Sequence, residues 1–413
     1  MQIFLVGGAV RDQLLNLEVT DHDYVVVGAT PEEMKQQGFK EVGKDFPVFL
    51  HPRSGEEYAL ARTERKSGNG YKGFEVDFSK TITLEQDLER RDLTVNAMAQ
   101  TQDGAIIDPF DGQDDLKHKV LRHVSPAFAE DPLRVLRVAR FAARFAHLGF
   151  TVAPETLALM TELVNQGELE FLTAERVWQE TKKALATQSP HVYFEVLRSC
   201  GGLKVLFPEI NVLWGIPNPE KWHPEIDTGI HTMMVLEQAA RKTDDVCVRF
   251  AAVLHDLGKG VTKKEYWPQH RGHEEAGVPL IKNLCRRIKA PKDYENLAVL
   301  VSRFHLHCHK MFELRPKTIH KVLKSIGAYK REFILEQFIV ACEADFNGRL
   351  GLEDKPYKHG DLLRECFKAS HKVDAQPLIE QGYEGAKLGT AIERERIKRI
   401  QSTVENIKKA ADE

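Results

Sequence analysis

The chain has no apolar run approaching the roughly 20 residues that a membrane-spanning helix needs, although 42% of its 413 residues are hydrophobic. Its apolar start, Met1 to Val6, is short and has no basic leader. It reads as a buried first strand, not a signal peptide. There is no Cys-x-x-Cys pair. Cys200, Cys247, Cys285, Cys308, Cys342 and Cys366 are scattered, which argues against a structural zinc site and a disulfide framework and predicts a reducing, cytoplasmic setting. Nor is there a large charge excess. With a net charge of −3, any nucleic-acid partner has to be met by locally concentrated positive charge. Internal repeats and low-complexity tracts are absent too. What remains is a chain long enough for roughly two to four ordinary domains.

The first stretch mixes strands and helices. Ile3–Val6, Tyr24–Val27, Val48–Leu50 and Tyr58–Ala61 read as strands, with Ile106–Ile107 as a further short one. From about Asp131 the pattern is helical. Asp131-Pro132 is a good helix opening, and the helix is expected to run to about His147 and stop near Gly149. Further helices are expected at Pro154–Asn165, Thr173–Thr187 and Val192–Ser199, then a break at Trp214–Pro224, a second helical block from His231 past Asp345, and a charged, solvated tail helix over Gly389–Glu413. The fold class is therefore α+β: a small α/β head followed by an all-helical remainder. The expected segments are a head at 1–125, a neck at 126–225, a histidine-rich domain at 226–348 and a tail at 349–413.

Gly7-Gly8 followed by Arg11-Asp12 marks a strand-to-helix turn where backbone N–H groups can approach an anion. By itself this is a common turn. Asp21-His22-Asp23 leads directly into the Tyr24–Val27 strand, and residues two apart on a strand share a face. Two adjacent carboxylates repel unless a cation joins them, and magnesium bridges carboxylates to substrate phosphates. Three more clusters follow: Arg90-Arg91-Asp92 with Asn96, Asp108-Pro109 with Gly112, and Glu130-Asp131 with Arg134. On the helix that begins there, Arg134, Arg137, Arg140 and Arg144 share one side, opposite Val135, Ala139 and Ala142. Such a row is usually a solvated face. Here an acceptor, Asp131, sits near a donor fork, Arg134, and that pair suits the hydrogen-bonding edge of a base.

In order and spacing these motifs resemble those of the class II CCA-adding tRNA nucleotidyltransferases, over roughly the first half of the chain. The resemblance implies a polymerase-β-like head in which Asp21 and Asp23 hold Mg2+, while Gly8 and Arg11 contact the triphosphate. It further implies that Arg91, Arg137 and Arg140 contact the incoming nucleotide, and that Asp131 and Arg134 select CTP and ATP. The implied reaction is attack of a tRNA 3′-hydroxyl on the α-phosphate of CTP, CTP and then ATP, with release of pyrophosphate. Ser67–Gly73, rich in glycine, is the candidate mobile loop, and Asp92 is a candidate third carboxylate.

Seventeen histidines are more than core packing usually requires, and many lie between His231 and His309. An adjacent pair, His255-Asp256, offers a neutral imidazole and a carboxylate to a divalent cation. His255-Asp256-Leu257-Gly258-Lys259 is similar to the signature of the HD superfamily, and the full length is similar to the bacterial multifunctional branch of the CCA-adding family, which carries an HD phosphohydrolase domain. This implies a metal held by His231, His255, Asp256 and Asp345, with His273 and His305 as further ligands or phosphate contacts. It also implies 2′,3′-cyclic phosphodiesterase, 2′-nucleotidase and phosphatase activities. Nickel, magnesium, manganese and cobalt all stay open there. The expected partners are tRNA, CTP and ATP, with neither DNA nor a membrane, and the chain is compatible with a monomer or a homodimer. The rival readings are a bacterial poly(A) polymerase, which shares the head motifs, an HD signalling phosphohydrolase with a nucleotide-sensing head, and a pure RNA-binding scaffold.

Overall fold

A computed structural model describes residues 1–42, 48–66, 74–221 and 223–412. The expected mobile loop at 67–73 lies outside them. The chain forms two compact units: Met1–Ala184 with Val192–Leu206, and Leu185–His191 with Phe207–Glu413. The expected boundaries at 125/126 and 348/349 fall inside these units. Residues 207–225 and the tail belong to the second unit, because their apolar side chains are buried there.

Among the described residues the first unit has eleven strands: β1 Gln2–Val6, β2 Asp23–Val27, β3 Lys40–Glu41, β4 Val48–Leu50, β5 Glu57–Leu60, β6 Thr63–Lys66, β7 Phe74–Asp77, β8 Ala99–Gln100, β9 Ile106–Ile107, and β10 Val120–Leu121, which pairs in parallel with β11 Thr151–Val152. Seven form one sheet in the order β3-β4-β5-β2-β1-β8-β9, while β6 and β7 pair as a separate hairpin. β2 and β5 are parallel, and the other neighbours in the sheet are antiparallel. Alternation along β1 and β2 sends Phe4, Val6 and Val25 to one core with Leu88, and Val26 to another with Met34, Phe49 and Leu60. The short β3 and β8 and the β6–β7 hairpin carry too few apolar residues to stand out from sequence.

The helix expected from Asp131 begins at Leu133 and runs to Phe145, and a 3-10 turn, Ala146–Leu148, ends at Gly149 in the left-handed region. Asp131 still serves that start, accepting from the Leu133 N–H at 3.0 Å. The arginine row does not form a solvated face. Val135, Ala139 and Ala142 are buried as expected, and Arg134 is buried with them.

The second unit packs Thr228–Lys242, Val246–Leu254, His273–Ile288, Lys292–His309 and Phe333–Asn347 around an apolar centre that includes Val235, Ala239, Ala252 and Ala344. The last helix runs Gly385–Asp412. It is not fully solvated, because Ala391, Ile400 and Val404 are buried as it packs on Pro316–Ser325 and Lys358–His371. Gly258 sits where the turn after Val246–Leu254 meets the first turn of His273–Ile288. A Cβ there would overlap the His273 carbonyl. Gly258→Ala is therefore expected to destabilise the second unit by about 3 kcal/mol, read as a lower urea midpoint.

Candidate active sites

In the β1–β2 register Val6 lies opposite Asp23, so the Gly7-Gly8 turn that ends β1 stands beside the start of β2. Gly7 has φ +70°, and a Cβ on it would come 2.8 Å from an Arg91 guanidinium nitrogen. Only glycine fits both demands. Asp21 precedes β2 instead of belonging to it, so the turn, not strand alternation, sets its approach to Asp23. Both carboxylates nevertheless line one cavity of about 670 Å³ with Gly7, Gly8 and Arg91, a size that suits a small-molecule ligand. Arg11, Asp131, Arg134, Arg137 and Arg140 line it as well. The register also sets Glu57 of β5 opposite Asp23, in the same cavity. Sequence reading overlooked this third acid. The available signal was the Glu56-Glu57 pair leading into the apolar Tyr58–Ala61 stretch.

The arginines are aimed by buried acids. Asp87, fully buried, accepts from Arg90 Nη2 at 2.7 Å, Arg91 Nη2 at 3.2 Å and the Arg62 N–H at 3.2 Å. Asp92 accepts from the Leu93 N–H and Asn96 Nδ2 on one oxygen and from Arg137 Nε at 2.7 Å on the other. Burial pushes the Asp92 carboxyl up, but Arg137 and Asn96 outweigh it and hold it well below the usual range. These bonds make Asp92 a brace for Arg137. Arg140 Nε donates to Glu180 at 2.6 Å.

Arg11 is 3% exposed. Its guanidinium bonds Asp12 and Asn96 and stacks over Phe141 and Phe145. It therefore braces the cavity wall more than it reaches into the space. Arg134 donates to the carbonyls of Ala127 and Arg90. Asp131 Oδ2 meets Arg176 Nη2 at 2.7 Å. That partner was legible only as one basic residue among many.

The second unit gathers a different set. Asp345 Oδ1 is 3.1 Å from His231 Nε2 and 3.7 Å from His255 Nε2. Asp256 Oδ2 is 3.1 Å from His255 Nε2. The other Asp256 oxygen is 3.2 Å from His273 Nε2 and 3.7 Å from His305 Nε2. The structure thus brings the four expected ligands and both additional histidines together. They form two metal-competent triads, His231/His255/Asp345 and Asp256/His273/His305. A divalent cation fits this set. His255 Nε2 and Asp256 Oδ1 are buried and have charged neighbours at 3.1 and 3.2 Å, but neither makes a well-aligned hydrogen bond, an arrangement that is costly unless an ion supplies the missing interaction. His255 Nδ1 is held by the Ala252 carbonyl at 2.7 Å, which leaves Nε2 for the ion.

Burial lowers the His255 pKa, but Asp256 and Asp345 outweigh it and raise the ring to about 8. Burial takes His305 down to about 3. Lys259 Nζ lies 2.6 Å from Asp256 Oδ2.

Residues 3–122 match the Poly A polymerase head domain, 149–213 the probable RNA and SrmB-binding site of polymerase A, and 228–342 the HD domain. The chain is 57% identical over 400 residues to a multifunctional CCA protein from Hahella chejuensis, covering 97% of this chain and 95% of that one. Among solved structures, a Thermotoga maritima CCA-adding enzyme complexed with tRNA aligns over 99% of this chain and 91% of that chain, with a TM-score of 0.64 and 21% identity. A CCA-adding enzyme in complex with ATP aligns over 100% and 90%, with a TM-score of 0.66 and 21% identity.

Asp92 gives the first unit a defined acid sensitivity. Its folded pKa lies below the unfolded value, so its contribution is complete above the unfolded pKa of about 4 and is lost as pH falls toward the folded pKa. Asp92→Asn is expected to cost about 2 kcal/mol at pH 7 and to flatten the loss of stability that sets in below about pH 4, followed by urea unfolding at each pH.

Proposed function

Since the chain belongs to the family of multifunctional CCA proteins, we propose that its two sites perform two phosphorus chemistries, one building the 3′ end of tRNA and the other hydrolysing phosphate esters. The protein is a template-independent nucleotidyltransferase that adds and repairs the terminal CCA using CTP and ATP, and its HD domain is a phosphohydrolase. The observation that carries the first assignment is the convergence of Asp21 and Asp23 with the Gly7-Gly8 turn on one arginine-lined cavity.

In this reading Asp21, Asp23 and Glu57 hold divalent cations, with Mg2+ the choice that suits carboxylates and phosphates. Bound there, such ions supply charge neutralisation for the attacking hydroxyl and the departing pyrophosphate. The protein's own groups do the rest. Gly8 lets the backbone approach the triphosphate. Arg91, Arg137 and Arg140, aimed by Asp87, Asp92 and Glu180, neutralise and orient it. Asp131 and Arg134 meet the base, with no nucleic-acid template. An acceptor beside donors pairs with the amino and ring-nitrogen edges shared by cytosine and adenine, and it rejects uracil and guanine, whose edges are reversed. The neck and tail carry the tRNA by shape and phosphate contacts. A tRNA-processing role suits the cytoplasm. The segments 1–125, 126–225, 226–348 and 349–413 divide transfer, selection, hydrolysis and tRNA contact among them.

In the HD domain His231, His255, Asp256 and Asp345 hold the cation, with His273 and His305 on the second Asp256 oxygen. Ni2+ suits the imidazole-rich set and Mg2+ the carboxylates. Bound there, the ion supplies Lewis acidity toward water and phosphate. Lys259 steadies the Asp256 carboxylate. Hydrolysis of a 2′,3′-cyclic or 2′-phosphate would clear a damaged tRNA end before rebuilding. Against a poly(A) polymerase stands the relative that matches across the HD region as well as the head.

Incorporation of labelled CTP and ATP into tRNA lacking its 3′ end tests the reading. Wild type stops after C, C and A, whereas long A tracts would identify a poly(A) polymerase instead. Asp23→Asn, and to a lesser degree Glu57→Gln, lower the rate, the former by about 10²–10³-fold or more, with the fold intact by circular dichroism. Arg134→Ala blurs the choice between CTP and ATP. In the same preparations His255→Ala abolishes 2′,3′-cyclic phosphodiesterase activity and leaves nucleotide incorporation unchanged. Loss of both activities together would contradict the partition.

A further inference from the structure

Asp345 has two oxygens with different surroundings. Oδ1 faces His231 and His255, while Oδ2 lies 2.6 Å from His309 Nε2. His309 Nδ1 is in turn 2.8 Å from the Tyr357 hydroxyl. Asp345 and Tyr357 are 3% and 4% exposed, so water does not substitute for either bond. Among the described residues His309 belongs to none of the metal-competent triads. Tyr357 stands at the start of the Lys358–His371 helix, and both it and Asp345 lie beyond residue 342, where the HD-domain match ends. An ionised carboxylate can only accept, so Nε2 of His309 carries the ring proton, Nδ1 is bare and the Tyr357 O–H donates to it. The sequence Tyr357 to His309 to Asp345 is thus a directional chain of donors that ends on the outer oxygen of the carboxylate.

The geometry points to His309, locked by Tyr357, as a positioning residue that holds Asp345 with Oδ1 turned toward the cation and so sets the divalent-ion affinity of the HD site. This rests on the reading of Asp345 as a ligand. A carboxylate free to rotate about its last bond loses the fixed approach of Oδ1 and must be reordered each time an ion binds. Outer partners of metal ligands are typically worth 10–100-fold in affinity. A residue from the segment after the HD match therefore completes the HD site, and the tail is expected to influence the ion as well as RNA.

Calorimetric titration of Ni2+ into untagged, metal-stripped full-length protein tests this, because Ni2+ prefers the imidazole-rich site to the carboxylates of the head. His309→Leu is expected to weaken binding by about 10–100-fold. Tyr357→Phe, which deletes one hydroxyl, should weaken it by about three- to tenfold. His309→Gln, whose amide N–H still donates to Oδ2, should recover most of the loss. Thermal melting of the metal-free proteins reports whether each variant is folded, and Tyr357→Phe serves as the mild variant should His309→Leu melt early. Wild-type affinity in both Tyr357→Phe and His309→Leu, with binding lost in Asp345→Asn, overturns the positioning role and leaves the ligand reading standing. Wild-type affinity in Asp345→Asn overturns the ligand reading itself. Complete loss in His309→Leu without rescue by His309→Gln would make His309 a ligand and overturn its role as a positioner.

Discussion

A carboxylate removed from water costs several kcal/mol unless a cation or a fan of N–H groups meets it, and both sites are organised around that cost. In the first unit Asp87 and Asp92 are buried and satisfied by arginines and amides. Their burial fixes those arginines in place. In the second unit Asp256 and Asp345 are buried against histidines whose pairing leaves an inner nitrogen and oxygen without a well-aligned hydrogen bond. The first arrangement is complete as protein and offers its arginines to an anion. The second is incomplete as protein and calls for a cation.

This difference accounts for how the two chemistries coexist in one chain. The transfer site carries exposed acids, Asp21 and Asp23, at the edge of a cavity that must admit a nucleotide and an RNA end. An ion held there would take the rest of its shell from solvent and substrate. The HD site is sealed: His231, His255, Asp256 and Asp345 are each 3% exposed or less, so the protein would supply most of the shell of an ion held there. Preorganisation therefore falls on different groups. In the head, buried acids aim cationic side chains. In the HD domain, backbone carbonyls and outer side chains orient the imidazoles and carboxylates.

Bracing is also what a reading by motif does not show. Arg11 carries the expected motif position, yet its guanidinium is committed to Asp12, Asn96 and two phenylalanine rings. Asp92 is paired with Arg137, and Glu57 stands in register with Asp23. The arginine row on Leu133–Phe145 lines a cavity instead of meeting bulk water. Along the arginine row the acid that fixes each side chain comes from 40 to 132 positions away: Glu180 for Arg140, Asp92 for Arg137 and Asp12 for Arg144.

The order and spacing of the motifs determined the fold class, the two sites and most of their residues, because glycine at a strand-to-helix turn, paired acids at a strand start and a His-Asp pair after an apolar helix each carry local constraints. The long helices were legible for the same reason: Pro154–Asn165 follows from proline in its first turn and from period alone. Tertiary structure alone decided the two-unit division, the short strands β3 and β8, the β6–β7 hairpin and the bracing of each charge. It alone also placed Glu57, Arg176 and the Tyr357–His309 pair. Local sequence limits backbone conformation within a few residues, whereas the choice between ligand, brace and solvated charge depends on burial and on partners that only folding brings within 3 Å.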